Sequence, residues 1–78
     1  MTDIIVPQDL WEDEREGVVL TWVYADGAVV EQGKLITELG VEKAQLELLA
    51  PVRGRLKILA PADTVVRKGQ VIGRLEPV

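Results

Sequence analysis

The chain has 78 residues, with 13 acidic and 9 basic side chains and neither cysteine nor histidine. That length allows one small domain with a marginal core, spanning residues 1–78, and favours a compact sheet over a two-part enzyme. The missing side chains rule out disulfides, a thiol nucleophile, an imidazole base and a zinc ligand set, and the net charge of −4 argues against nucleic acid.

A mechanism built on carboxylates alone is the only catalytic chemistry this composition leaves open. Val, Ile and Leu dominate the apolar set, Phe is absent, and seven glycines and four prolines punctuate the chain. This is the composition of an all-β domain of short strands. The acidic start Met1-Thr-Asp3 is not a signal peptide, and no apolar run approaches a membrane span. A cytoplasmic setting is the default expectation.

Asp3-Ile-Ile-Val-Pro7 reads as an opening strand, with Pro7 at its end. Gln8 to Glu16 is a loop carrying Asp9, Glu12, Asp13, Glu14 and Glu16 against the single Arg15. Trp11, in its middle, either folds back onto the domain or offers a partner an aromatic anchor. Val18-Val-Leu-Thr-Trp-Val-Tyr24 is the next strand. Val18, Leu20, Trp22 and Tyr24 share one face and Val19, Thr21 and Val23 the other, so alternation does not choose the buried side. Asp26-Gly27 and Gln32-Gly33 are turn signals on either side of the short strand Val29-Val30.

Residues 34–49 then read as a central hairpin, with Ile36 and Leu39 before the junction and Ala44, Leu46 and Leu48 after it at a period of two. Its tip is Glu42-Lys43, where a two-residue turn with positive φ at both positions would favour Asn-Gly or Asp-Gly. The tip was therefore not chosen for turn propensity. Beyond it, Ala50 to Gly54 is a loop, Arg55 to Ala60 a strand, Pro61 to Asp63 a turn and Thr64 to Val66 a brief strand. Lys68-Gly69 is a turn, and Val71 to Glu76 is the last strand.

Ala28 to Leu39 aligns with Thr64 to Leu75 at a constant offset of 36 residues, as from Gly33 to Gly69. The match includes Val29/Val65, Val30/Val66, Ile36/Ile72 and Leu39/Leu75. Two repeats are too few for a solenoid, so two similar β-halves closing on each other is the expected arrangement. The tip falls where the first half hands over to the second. The expected core is Val30, Ile36, Leu39, Leu46, Leu48, Leu56, Val66, Ile72 and Leu75. About eight short strands and no helix beyond one turn are expected.

Several motifs fall in one order and register: Val6-Pro7, Glu16-Gly17, Val30…Gly33…Ile36, Glu42-Lys43-Ala44, Leu46-Glu47-Leu48, Ala50-Pro51, Gly54 and Val66…Gly69…Ile72. Taken together they resemble the lipoyl/biotinyl carrier domains, most closely the lipoyl domains of dihydrolipoamide acyltransferases. Gly27 and Gly54, 16 residues before and 11 after Lys43, also fit that pattern. The Glu-Thr-Asp-Lys-Ala run of many acyltransferases is here Gly40-Val41-Glu42-Lys43-Ala44, so two polar positions have become Gly40 and Val41. Biotinyl domains are a poorer match, because their lysine usually lies between methionines and the one Met here is Met1.

The resemblance implies a flattened barrel of two four-stranded antiparallel sheets with pseudo-two-fold symmetry. It implies a non-catalytic carrier, with lipoic acid attached to Lys43 and with Glu42 and Ala44 read by the attaching lipoate ligase or lipoyl transferase. The implied partners are a thiamine-dependent 2-oxo acid or acetoin dehydrogenase component, an acyltransferase core and a flavin-dependent dihydrolipoyl dehydrogenase. No metal, nucleic acid or membrane enters this reading, and the isolated domain is expected to be a monomer. The acidic loop is expected beside the tip, as the surface read by the dehydrogenase component. A biotinyl carrier and an unmodified structural barrel are the alternatives. Taken alone Lys43 is an ordinary surface lysine. The hairpin, the repeat and the two glycines set it apart from Lys34, Lys57 and Lys68.

Overall fold

The computed structural model describes residues 1–12 and 14–78. Asp13 of the acidic loop lies outside the described residues. The strands are β1 (Thr2–Ile5), β2 (Gly17–Trp22), β3 (Val29–Val30), β4 (Leu35–Val41), β5 (Ala44–Leu49), β6 (Gly54–Ile58), β7 (Val65–Val66) and β8 (Val71–Glu76). No helix occurs among the described residues. One antiparallel sheet has the order β1-β8-β6-β3 and the other β5-β4-β2-β7. The expected pair of four-stranded sheets is what the chain forms.

The repeat becomes a symmetry of hydrogen bonds. Val6 N–H donates to Gln70 O and Gly69 N–H to Val6 O; at the symmetry-related place Ala50 N–H donates to Lys34 O and Gly33 N–H to Ala50 O. Ile36 is the extra residue where β4 slips against β5, and Ile72, its repeat mate, is the extra residue where β8 slips against β1. Each bulge turns two successive residues inward, Ile36-Thr37 and Ile72-Gly73, and bends the strand so that the two sheets wrap one core. Thr37 is buried without penalty, because its hydroxyl donates to Thr21 O at 2.7 Å.

A third bulge breaks the symmetry. Between Val19↔Leu39 and Thr21↔Glu38, Leu20 has no partner, whereas β6 runs unbroken against β8 from Arg55↔Glu76 to Ile58↔Gly73. Leu20 is thus the one residue by which the first half is longer, since Gly33 follows Gly17 by 16 residues and Gly69 follows Gly54, its symmetry mate, by 15. The bulge also answers which face of β2 is buried. Val19 lies in the core before it and Trp22 packs on the core after it, so the buried phase changes at Leu20. Trp22 Nε1–H donates to Ala60 O at 2.8 Å, satisfying its polar end.

Besides β1, which stops at Ile5 rather than Pro7, and β7, which starts at Val65 rather than Thr64, two strands stop short: β2 at Trp22 rather than Tyr24 and β6 at Ile58 rather than Ala60. At both places the next residue leaves the ladder for a bulge carbonyl, Val23 N–H to Ile36 O and Leu59 N–H to Ile72 O. Of the expected core, Leu46 is the exception: it is half-buried, while Val30, Ile36, Leu39, Leu48, Leu56, Val66, Ile72 and Leu75 are buried. The reason is position. β5 is an edge strand, and burial rises along it away from the tip, from exposed Ala44 through Leu46 to buried Leu48. Ile4, Val6, Val19, Val41, Ala50 and Ala60 complete the interior.

Candidate functional site: the β4–β5 tip

The hairpin pairing runs out to Val41↔Ala44, leaving Glu42 and Lys43 as a two-residue turn. Only Glu42 has positive φ, at 55°, so the φ signs are those of a type II′ turn. Glycine is the usual residue at this position. A glutamate there gives up about 1–2 kcal/mol to Cβ crowding, and strain of this kind gathers at functional turns. The six-pair β4–β5 ladder holds it in place. Lys43 follows, exposed at the apex. One residue on, Ala44 is already in the ladder, where a side chain is committed to a sheet face.

The acidic loop does lie beside this tip. Arg15, its one cation, forms an ion pair with Glu42. Trp11 folds back: it packs on the core, and its Nε1–H donates to Arg15 O at 2.9 Å. From the other side the Lys68 ammonium donates to Trp11 O at 2.9 Å and sits 5.8 Å from the centre of the indole. Arg67 Nε–H reaches Glu16 at 3.0 Å. Exposed ion pairs contribute little, so the Trp11 packing and the Lys68 clamp do most to hold the loop. Asp9, Glu12 and Glu14 remain exposed.

The remaining lysines have other settings. Lys34 is in the turn before β4, Lys57 is exposed along β6, and Lys68 is half-buried against Trp11. The two spaced glycines serve the frame. Gly27 takes φ 92°, a conformation its repeat mate Asp63 shares at 71°. A Cβ on Gly54 would lie 2.7 Å from Glu76 O. Glu38 and Glu47 are direct cross-strand neighbours, a like-charge pair. Arg15 is the site residue that sequence reasoning passed over; its isolation among acids was the available signal.

Among the described residues no group of three acidic side chains is placed to hold a metal ion. The fold and the tip define a class: two-sheet barrels that present one lysine on a hairpin between matched halves. Residues 3–75 match the biotin/lipoyl family, described as "Biotin-requiring enzyme", and the chain belongs to that family. It is 36% identical over 76 residues to the dihydrolipoyllysine-residue succinyltransferase component of the 2-oxoglutarate dehydrogenase complex of Bacillus subtilis, covering 96% of this chain and 18% of that protein. It is 36% identical over 75 residues to the dihydrolipoyllysine-residue acetyltransferase component of the pyruvate dehydrogenase complex of Corynebacterium glutamicum, covering 95% of this chain and 11% of that protein. The chain thus spans under a fifth of either relative. The solution structure of the lipoyl domain of the 2-oxoglutarate dehydrogenase complex from Azotobacter vinelandii superposes with a TM-score of 0.77 at 29% identity, each chain covered completely.

Proposed function

We propose that Lys43 is the attachment point of lipoic acid, and that the domain carries acyl groups between the components of a 2-oxo acid or acetoin dehydrogenase complex. The observation that carries this is the placement of Lys43: an exposed primary amine on a two-residue tip, at the junction of the two halves. The residues fit the group. The amine is unobstructed, and an amide formed there with the carboxyl of lipoate, from an activated acyl donor, removes the lysine charge. When attached, the group supplies a disulfide that accepts an acyl group with reduction and is later reoxidised.

The chain's own residues do the presenting. The β4–β5 ladder fixes the base of the arm, and the tether keeps the group at high local concentration for its partners. Glu42 and Ala44 flank the amine as the residues the lipoate ligase or lipoyl transferase reads. The loop at 8–16, which meets the tip at the Arg15–Glu42 pair, is the surface for the thiamine-dependent dehydrogenase component. The acyltransferase core and the flavin-dependent dehydrogenase follow in turn. Lipoyl is preferred to biotinyl because Glu42 and Ala44, not methionines, adjoin Lys43.

The test is treatment of the unmodified domain with lipoate ligase, then peptide mass mapping. A single lipoyl adduct on the peptide holding Lys43 is expected. An adduct on Lys34, Lys57 or Lys68 refutes the placement argument. Biotinylation by a biotin ligase without lipoylation moves the domain to the biotinyl class.

A further inference from the structure

A groove of about 850 Å³ begins at the lysine itself and runs over the outer face of the β5-β4-β2-β7 sheet. Lys43, Gly40, Leu20, Val18 and Val65 line it, with Glu16 on its rim. Its floor depends on two features of this chain. The first is the bulge, which adds Leu20 to the half that bears the tip and has no counterpart in β6. The second is Gly40, where an added Cβ would come within 3.0 Å of Leu20 Cδ2. The missing side chain at 40 is what lets Leu20 lie across β4. Leu20 and Val65 are left 36% and 57% exposed, an apolar shelf beside the charged tip.

We propose that this groove is a resting site for the group attached to Lys43, so that the arm folds back along the sheet instead of standing free in water. The inference rests on the lipoyl reading above. Three observations select this occupant. The groove is lined by the attachment lysine, so an arm rooted there meets the shelf without a bimolecular step. From β5 to Val65 on β7 is three inter-strand spacings, about 14 Å. An unbranched chain of lysine methylenes, amide and acyl methylenes is suited to that span, and it ends in a compact apolar ring. Finally, the bare lysine is a cation that stays in water, whereas the amide is neutral and can lie on Leu20 and Val65. Attachment thus creates the ligand that fits the floor.

The experiment uses the domain lipoylated by lipoate ligase, with complete modification established first by intact mass. Methyl NMR spectra of the modified and unmodified domain then follow Val18, Leu20 and Val65, and nuclear Overhauser contacts are sought between the ring protons and the Leu20 methyls. Reduction of the ring by a water-soluble phosphine is timed in parallel. Shifted methyls, ring-to-Leu20 contacts and reduction roughly threefold slower than for free lipoamide are expected if the open form is about a third of the population. Leu20→Ser and Val65→Ser, at exposed positions, should return the rate to that of lipoamide while the melting temperature shows the fold intact. Full modification with unmoved methyls and a lipoamide-like rate overturns the proposal. So do methyl shifts that grow with protein concentration alongside a dimer in sedimentation, since the occupant is then a second copy. Absence of any lipoyl mass gain overturns both this inference and the lipoyl reading, which separates the two failures.

Discussion

Gly54→Ala tests the packing account of the frame. A Cβ at 54 would stand 2.7 Å from Glu76 O and 3.0 Å from Leu75 Cβ. Neither neighbour can yield cheaply: both are on β8, a central strand of its sheet, and Leu75 is 1% exposed. Overpacking of this kind costs about 1–3 kcal/mol, and the lower entropy of the unfolded alanine chain returns about 0.4–1. The net is about 1–2 kcal/mol, or about 4–16 °C of melting temperature for a domain of this size. Gly17, the symmetry mate, is the control. Its nearest contacts are looser, 3.2 Å to Gly40 O and to a Val41 methyl, with Trp11 at 3.3 Å. There the entropy term offsets most of the crowding, leaving Gly17→Ala within about 0.5 kcal/mol of the parent. Urea unfolding followed by tryptophan fluorescence gives both values from midpoints at unchanged slope. A Gly54→Ala variant as stable as Gly17→Ala would refute the reasoning.

Three further outcomes are expected. Lys43→Ala should lose all lipoylation by intact mass and keep its stability within about 0.5 kcal/mol, as an exposed turn position does; exchanging Glu42 with Lys43 should also abolish modification, at unchanged composition. Glu47→Lys should raise stability by about 0.5–1 kcal/mol, because it replaces the Glu38–Glu47 pair with the kind of pair that Arg74 and Asp3 make at 3.3 Å in the other sheet; a gain that does not shrink in high salt would contradict this electrostatic origin. Replacing residues 8–16 with the corresponding loop of another lipoyl domain should alter reductive acylation by the dehydrogenase component and leave lipoylation intact, and unaltered acylation would reduce the segment to a connector.

The repeat was legible because its signals are local and paired: Val-Val, then Gly, Ile and Leu, at one offset. The position of Lys43 was legible for the same reason, since it sits where one half ends and the next begins. The buried face of β2 was not. A bulge reverses the phase of alternation, and nothing in Val18-Val-Leu-Thr-Trp marks Leu20 as the extra residue until β4 is laid beside it. Leu46 was overread because alternation tells which way a side chain faces, not how far the opposing layer extends. The Arg15–Glu42 pair joins residues that only the folded chain brings together.

The strand orders have a further consequence. Each half, β1–β4 or β5–β8, supplies the central pair of one sheet and both edges of the other. Neither half can therefore be completed without strands from its counterpart, and the link between them is the turn at Glu42-Lys43. That turn is the natural hinge for two chains to trade halves, the low-cost route by which many dimers arise. Opened in this way, β4 and β5 would run on as one strand. Residue 43 would then be an ordinary rung of a ladder between molecules, its amine no longer at an apex. Only a chain that has closed on itself displays its lysine at a tip, so an attaching enzyme that reads the tip also selects for the unexchanged fold.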